Sequence, residues 1–206
     1  ITMKKILVAP LDWGLGHCTR VIPVVRNLRE KGHEVILAAC GSGAVLLRDQ
    51  FPDLLLLDDI PSYQITYPDH GSLVLHFLMK TPSLFKVINA ENKWLAAIVK
   101  KHGIEEVYSD NRYGLYHRDV KCKLITHQLN IPAPWYVLPW VRMLTGHYFD
   151  KFDQILVPDY NHAMNLSGAL SHGREVSRKV KYIGPLSRFG QSNEETKQPQ
   201  NVFDCV

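Results

Sequence analysis

Two glycines and a histidine stand in the string Asp12-Trp13-Gly14-Leu15-Gly16-His17-Cys18-Thr19-Arg20, directly after the apolar run Ile6-Leu7-Val8-Ala9-Pro10. Glycines behind a strand let the backbone approach a ligand closely. A helix that starts there offers free amides and the positive end of its dipole to an anion such as a diphosphate. Gly14 and Gly16 are therefore candidate phosphate-binding residues. His17 adds a group that can exchange a proton near neutral pH. A plain Gly-x-Gly turn is the bland alternative, and a dinucleotide fingerprint would place a further glycine where Thr19 stands.

Other polar groups recur just behind predicted strands: Asp110-Asn111-Arg112-Tyr113-Gly114, Thr126-His127-Gln128 and Asp159-Tyr160-Asn161-His162. Asp110 is a candidate base or hydroxyl acceptor and Arg112 a candidate anion clamp; the alternative is an Asx turn with a surface ion pair. His127 and Gln128 read either as ligand contacts or as a satisfied buried pair. Asp159 reads as a helix cap. Asp58 and Asp59 are neighbours on a strand and point to opposite faces, so they read as a solvated turn rather than an acid/base pair.

These groups need a scaffold that brings strand ends together. Short apolar strands are predicted at about 4–10, 34–39, 53–58, 104–109, 123–126, 154–158 and 180–183, separated by helices at about 20–31, 43–50, 73–101, 135–151 and 161–168. Pro23 is expected in a first helical turn, where a missing amide costs nothing, so the first helix should begin near Thr19 to Val21. Ser42 is expected to cap the second helix, and Pro82 to break or kink the long third one. Alternation of this kind predicts an α/β, Rossmann-like three-layer sandwich with a mainly parallel sheet. Ligands in such sheets bind beyond the carboxyl ends of the strands, where the polar groups fall.

The chain has 206 residues, 46% hydrophobic and 21% charged, with a formal charge of +4 and ten histidines. That suits a globular protein and gives no basic, aromatic-interleaved block for nucleic acid. Four cysteines without a Cys-x-x-Cys pair or close Cys/His spacing indicate neither a disulfide framework nor a metal site, and a reducing, cytoplasmic setting is expected. Two apolar stretches, 73–79 and 135–141 with Arg142 beside the latter, read as core helices or as a contact with a membrane surface.

The glycine-histidine string, Pro23 and Leu28-Arg29-Glu30-Lys31-Gly32-His33-Glu34-Val35 together resemble the amino-terminal half of GT-B glycosyltransferases, nearest to family 28. That group contains the peptidoglycan lipid-linked N-acetylglucosaminyltransferase. Ser109 to Gly114 and Thr126-His127-Gln128 resemble an uncharacterised bacterial subgroup, and Tyr182-Ile183-Gly184-Pro185-Leu186 resembles the approach to an interdomain linker. The resemblance implies an acceptor-side domain at 3–188 and a linker or tail at 189–206, with the donor-binding domain outside this chain, which would then be unable to catalyse alone. It implies transfer of a sugar, with inversion, from a nucleotide-diphosphate donor to an acceptor hydroxyl, without metal or other cofactor. His17 or Asp110 would take the acceptor proton, His17 being favoured; Gly14, Gly16, Arg112, His127 and Gln128 would bind substrate or phosphate. Partners would be the nucleotide sugar, the acceptor, a second domain or subunit, and a peripheral membrane contact at the inner face of the cell envelope. The alternatives are a nucleotide-sugar hydrolase of the same architecture and a non-catalytic subunit that presents an acceptor.

Overall fold

Alternation along the first strand decides the layering. In β1 (Lys5–Pro10), Ile6 and Val8 face one apolar cluster while Leu7 and Ala9 face another, and all four are at most 1% exposed. A strand buried on both faces belongs in the middle of a sheet covered by helices on each side. In the computed structural model, which describes residues 2–63, 73–162, 165–172 and 179–187, β1 is an interior strand, paired on both sides.

The other elements are α1 (Leu15–Glu30), β2 (Glu34–Ala38), α2 (Gly41–Gln50), β3 (Leu56–Leu57), α3 (Leu73–His102), β4 (Glu106–Asp110), β5 (Lys121–Ile125), α4 (Leu138–Phe149), β6 (Gln154–Val157) and β7 (Val180–Tyr182). All strand pairs are parallel, in the order β3-β2-β1-β4-β5-β6-β7. The expected Rossmann-like α/β sandwich is therefore the architecture of the chain. Helices α1 and α2 cover one face through Val21, Ile22, Val25, Leu28, Ala44 and Leu47. The opposite face packs on Leu95 and Ile98 of α3 and on Phe149 of α4. Because β1 pairs with β2 on one side and β4 on the other, the crossovers diverge there and leave a crevice above its carboxyl end.

Four details differ from the sequence reading. Helix α1 begins at Leu15, so Pro23 is its ninth residue rather than part of its first turn. The lost hydrogen bond is tolerated because Val21, Ile22 and Val25 around it are buried against the sheet, and packing outweighs local propensity. The residue that caps α2 is Cys40, with no side-chain capping bond, and not Ser42. Helix α3 runs unbroken through Pro82. The helix expected at 161–168 is replaced, among the described residues, by turns and a short 3-10 segment at Gly168–Leu170. There the buried Asp159 carboxylate accepts from the amides of Tyr160, Leu166 and Ser167, winding the chain into a loop. Although burial opposes its ionisation, those donors hold Asp159 well below the usual carboxylate range. The side chains of the 73–79 stretch and all of 189–206 lie outside the described residues.

Candidate functional site

Gly14 sits at φ 72°, ψ 176°, a backbone region open essentially to glycine, and this turns the chain from β1 into the first turn of α1. Gly16 and His17 are consequently helical residues, not members of a loop. There is no acidic residue in that first turn to neutralise its free amides. The turn opens on a cleft of about 720 Å³ lined by Trp13, Leu15, Gly16, His17, Thr19, Arg20, His127, Leu186 and Ser187. Three separate segments thus converge at the carboxyl edge: the start of α1, the residue after Thr126 beyond β5, and the stretch that follows β7.

Asp110 is the last residue of β4, fully buried, and paired in register with Pro10 of β1. This places its carboxylate under His17, whose Nδ1 lies 3.1 Å from Asp110 Oδ2. The next residue, Asn111, adopts φ 56°, a left-handed turn that asparagine tolerates, and its amide donates to the Ile125 carbonyl. The turn then closes through the Ser109 hydroxyl, which donates to the Arg112 carbonyl at 2.6 Å.

Arg20, three residues after His17 on the same helix, joins the cluster. Its Nε donates to Asp110 Oδ2 at 3.1 Å, its Nη1 meets His127 Nδ1 at 3.0 Å, and its Nη2 meets His17 Nδ1 at 2.5 Å. Nη2 also lies 3.0 Å from Asp110 Oδ1, but out of line for a hydrogen bond, so that oxygen has no hydrogen-bond donor. Burial, and then the Arg20 charge, push His127 below the usual imidazole range and keep it neutral. Sequence reasoning did not assign Arg20 a role. The signal was present as the i, i+3 spacing from His17, but it becomes visible only when the helix starts at Leu15.

Of the residues expected at the site, Gly16, His17 and His127 meet on the cleft wall, with Asp110 directly behind them and Gly14 at the turn below. Gln128 is exposed, and its amide donates to the Thr126 hydroxyl at 3.0 Å. Arg112 is placed elsewhere: it is fully buried and donates to the carbonyls of Pro10 and Pro61 and to Glu91. Its charge is balanced inside the fold instead of facing the cleft. Asp12 likewise serves the frame, accepting from the Tyr63 amide at 3.0 Å and the Ser62 hydroxyl at 2.5 Å. Burial raises the thiol of Cys18 to about 11 and also lifts that of Cys40, so neither is poised as a nucleophile. Among the described residues no helix is long and apolar enough to cross a membrane.

No protein-family model matches the chain, and no curated protein matches it in sequence. Solved structures do resemble it. The glycosyltransferase SsfS6 of Streptomyces sp. SF2575 superposes with a TM-score of 0.50 at 13% identity, over 75% of this chain and 50% of that one. The spinosyn forosaminyltransferase SpnP gives 0.50 at 15% identity, over 89% and 50%. A putative UDP-N-acetylglucosamine 2-epimerase from Listeria monocytogenes gives 0.50 at 11% identity, over 77% and 40%. The chain spans half or less of the length of these proteins, and at such identities the likeness concerns the fold. What the chain carries is the Rossmann-like fold of the amino-terminal part of GT-B glycosyltransferases.

Proposed function

We propose that this chain is the acceptor-side domain of a glycosyltransferase that moves a sugar from a nucleotide-diphosphate donor to an acceptor hydroxyl with inversion. The observation that carries the reading is the imidazole of His17, 3.1 Å from a fully buried aspartate, on the wall of a cleft floored by free helix amides. In this reading Asp110 orients His17 and stabilises the imidazolium that forms. His17 Nε2 takes the acceptor proton as the acceptor oxygen bonds to the anomeric carbon. The bond from that carbon to the diphosphate oxygen breaks, and its electron pair leaves with the nucleoside diphosphate. The amides at Gly14 to His17 and the Arg20 guanidinium meet the growing negative charge. A second domain or subunit supplies the rest of the donor site.

The same sheet edge bears an apolar hollow of about 410 Å³, lined among others by Leu129, Ile131, Leu138, Val141 and Leu170, with Arg142 beside them. It suits the apolar body of an acceptor. The test is titration of the chain, and of the chain joined to its second domain, with uridine diphosphate sugars, followed by product analysis with and without acceptor alcohols. Perturbation of the Gly14 to Arg20 resonances and acceptor-dependent release of nucleoside diphosphate are expected. Free sugar released at the same rate without acceptor would make the protein a hydrolase, and no response in either form would sink both readings.

A peripheral contact with a membrane surface at the cytoplasmic face belongs to the same proposal. Trp135, just before α4, and Trp140 and Met143 on it are 84%, 68% and 61% exposed beside Arg142, and an apolar patch with a basic neighbour suits a membrane surface. The chain should cosediment with vesicles containing anionic lipid, and the W135S/W140S variant should remain in the supernatant. Native chain that stays in the supernatant at low salt would remove the membrane from the reading.

A further inference from the structure

We propose that Arg20 is a positioning residue that holds His17 in a proton state unable to act as a base, and that an anion entering the cleft releases it. The proposal rests on the reading of His17 as the base and adds how its activity is withheld.

A guanidinium has donors and no acceptor. With Nη2 at 2.5 Å from His17 Nδ1 and Nη1 at 3.0 Å from His127 Nδ1, each contact is a hydrogen bond only when the ring nitrogen presents a lone pair, and for His17 the Arg20 contact is the shorter of the two that compete for Nδ1. Each neutral ring then carries its proton on Nε2. For His17 this is the wrong tautomer: an Nε2–H donates to an acceptor hydroxyl and cannot take its proton.

The competent tautomer has the proton on Nδ1, donated to Asp110 Oδ2 at 3.1 Å, and a lone pair on Nε2. One nitrogen cannot accept from Arg20 and donate to Asp110 at once. The contacts of His17 Nδ1 are therefore mutually exclusive, and the position of Arg20 Nη2 selects between them. Asp110 Oδ2, which accepts from Arg20 Nε, gains a second donor when the proton moves to Nδ1.

The geometry also says what displaces Nη2. Arg20 lines the cleft with its side chain 15% exposed, beside the free amides at the start of α1. A phosphate oxygen there competes for the guanidinium more strongly than a neutral imidazole does. The guanidinium is a rigid plane and turns to the anion as a whole, and the Nδ1–H of His17 then donates to Asp110 in its place. The change balances without net proton uptake: Nε2 gives a proton to water and Nδ1 receives one, by exchange with solvent.

Imidazole 15N–1H correlation spectra at pH 7.5 on the whole chain read both ring nitrogens of His17 directly. The free protein should show protonated Nε2 and bare Nδ1, and saturating inorganic pyrophosphate should invert the pattern. Arg20→Met, which keeps length and removes every donor, should show the inverted pattern without pyrophosphate and no response to it. Nδ1–H in the free native protein, a doubly protonated ring, no inversion with pyrophosphate, or an Arg20→Met spectrum identical to native would each overturn the proposal. The first of these outcomes leaves His17 fit to serve as base, so it separates failure of the gate from failure of the proposed reaction. The native titration stands even if the variant does not fold.

Discussion

Replacing His17 by alanine is expected to lower the turnover number for sugar transfer roughly 10²- to 10⁴-fold, the range that removal of a positioned general base produces. The imidazole borders the cleft and contributes little to the core, so the thermal midpoint should stay near that of the native protein. Asp110→Asn should lower turnover too, but it also leaves the Arg20 guanidinium against a fully buried neutral amide, so stability falls with activity. The diagnostic pattern is activity lost alone in the first variant and activity with stability lost in the second. Transfer rates within a few-fold of native in His17→Ala would remove the histidine from the chemistry.

The largest effect on stability is expected at Glu91, in the middle of α3. Its buried carboxylate accepts from Arg112 Nη1 at 2.8 Å, the Tyr63 hydroxyl at 2.5 Å and the Gly114 amide at 3.0 Å. Burial pushes the carboxyl up, and the Arg112 charge with these hydrogen bonds opposes that shift. Removing one partner of a buried pair leaves the other charge less well compensated, here with Asp12 Oδ1 at 3.5 Å from Arg112 Nη2, so Glu91→Ala should cost about 3 kcal/mol or more in urea denaturation. That is a large part of the roughly 5–15 kcal/mol that holds a domain folded. The fit allows no substitute contact: a Cβ on Gly114 would lie 2.3 Å from the Ile88 carbonyl oxygen and 2.7 Å from Glu91 Oε2. The double replacement E91L/R112M removes both charges and should recover part of the loss, since the Pro10 and Pro61 carbonyls and the Gly114 amide lose their side-chain partners. A cost under about 1 kcal/mol for Glu91→Ala would show that the pair does not brace the fold.

The strands were legible because a strand buried on both faces must be apolar along its whole length, and such runs stand out in this sequence. So was the carboxyl edge, since every polar cluster behind a strand lies there. Individual roles were harder to read because they depend on partners far along the chain. Arg112 looked like an anion clamp and Arg20 like part of a helix. The structure gives Arg112 a buried carboxylate on α3, 21 residues away, and gives Arg20 two histidines and an aspartate. Nothing local distinguishes the two arginines. Pro23 misled for a related reason: its local preference for a first turn is outweighed by the apolar face of α1, whose burial depends on the sheet below. Asp159 was read as the cap of a helix, yet it gathers the amides of a loop.

The sheet's outermost strands, β3 and β7, have two and three residues. Each presents too little unpaired backbone to template the addition of a foreign strand. The molecule is thereby guarded against edge-to-edge aggregation although its seven-stranded interior is strongly apolar. Among the described residues, association with another protein through continuation of the sheet is therefore disfavoured at these two strands.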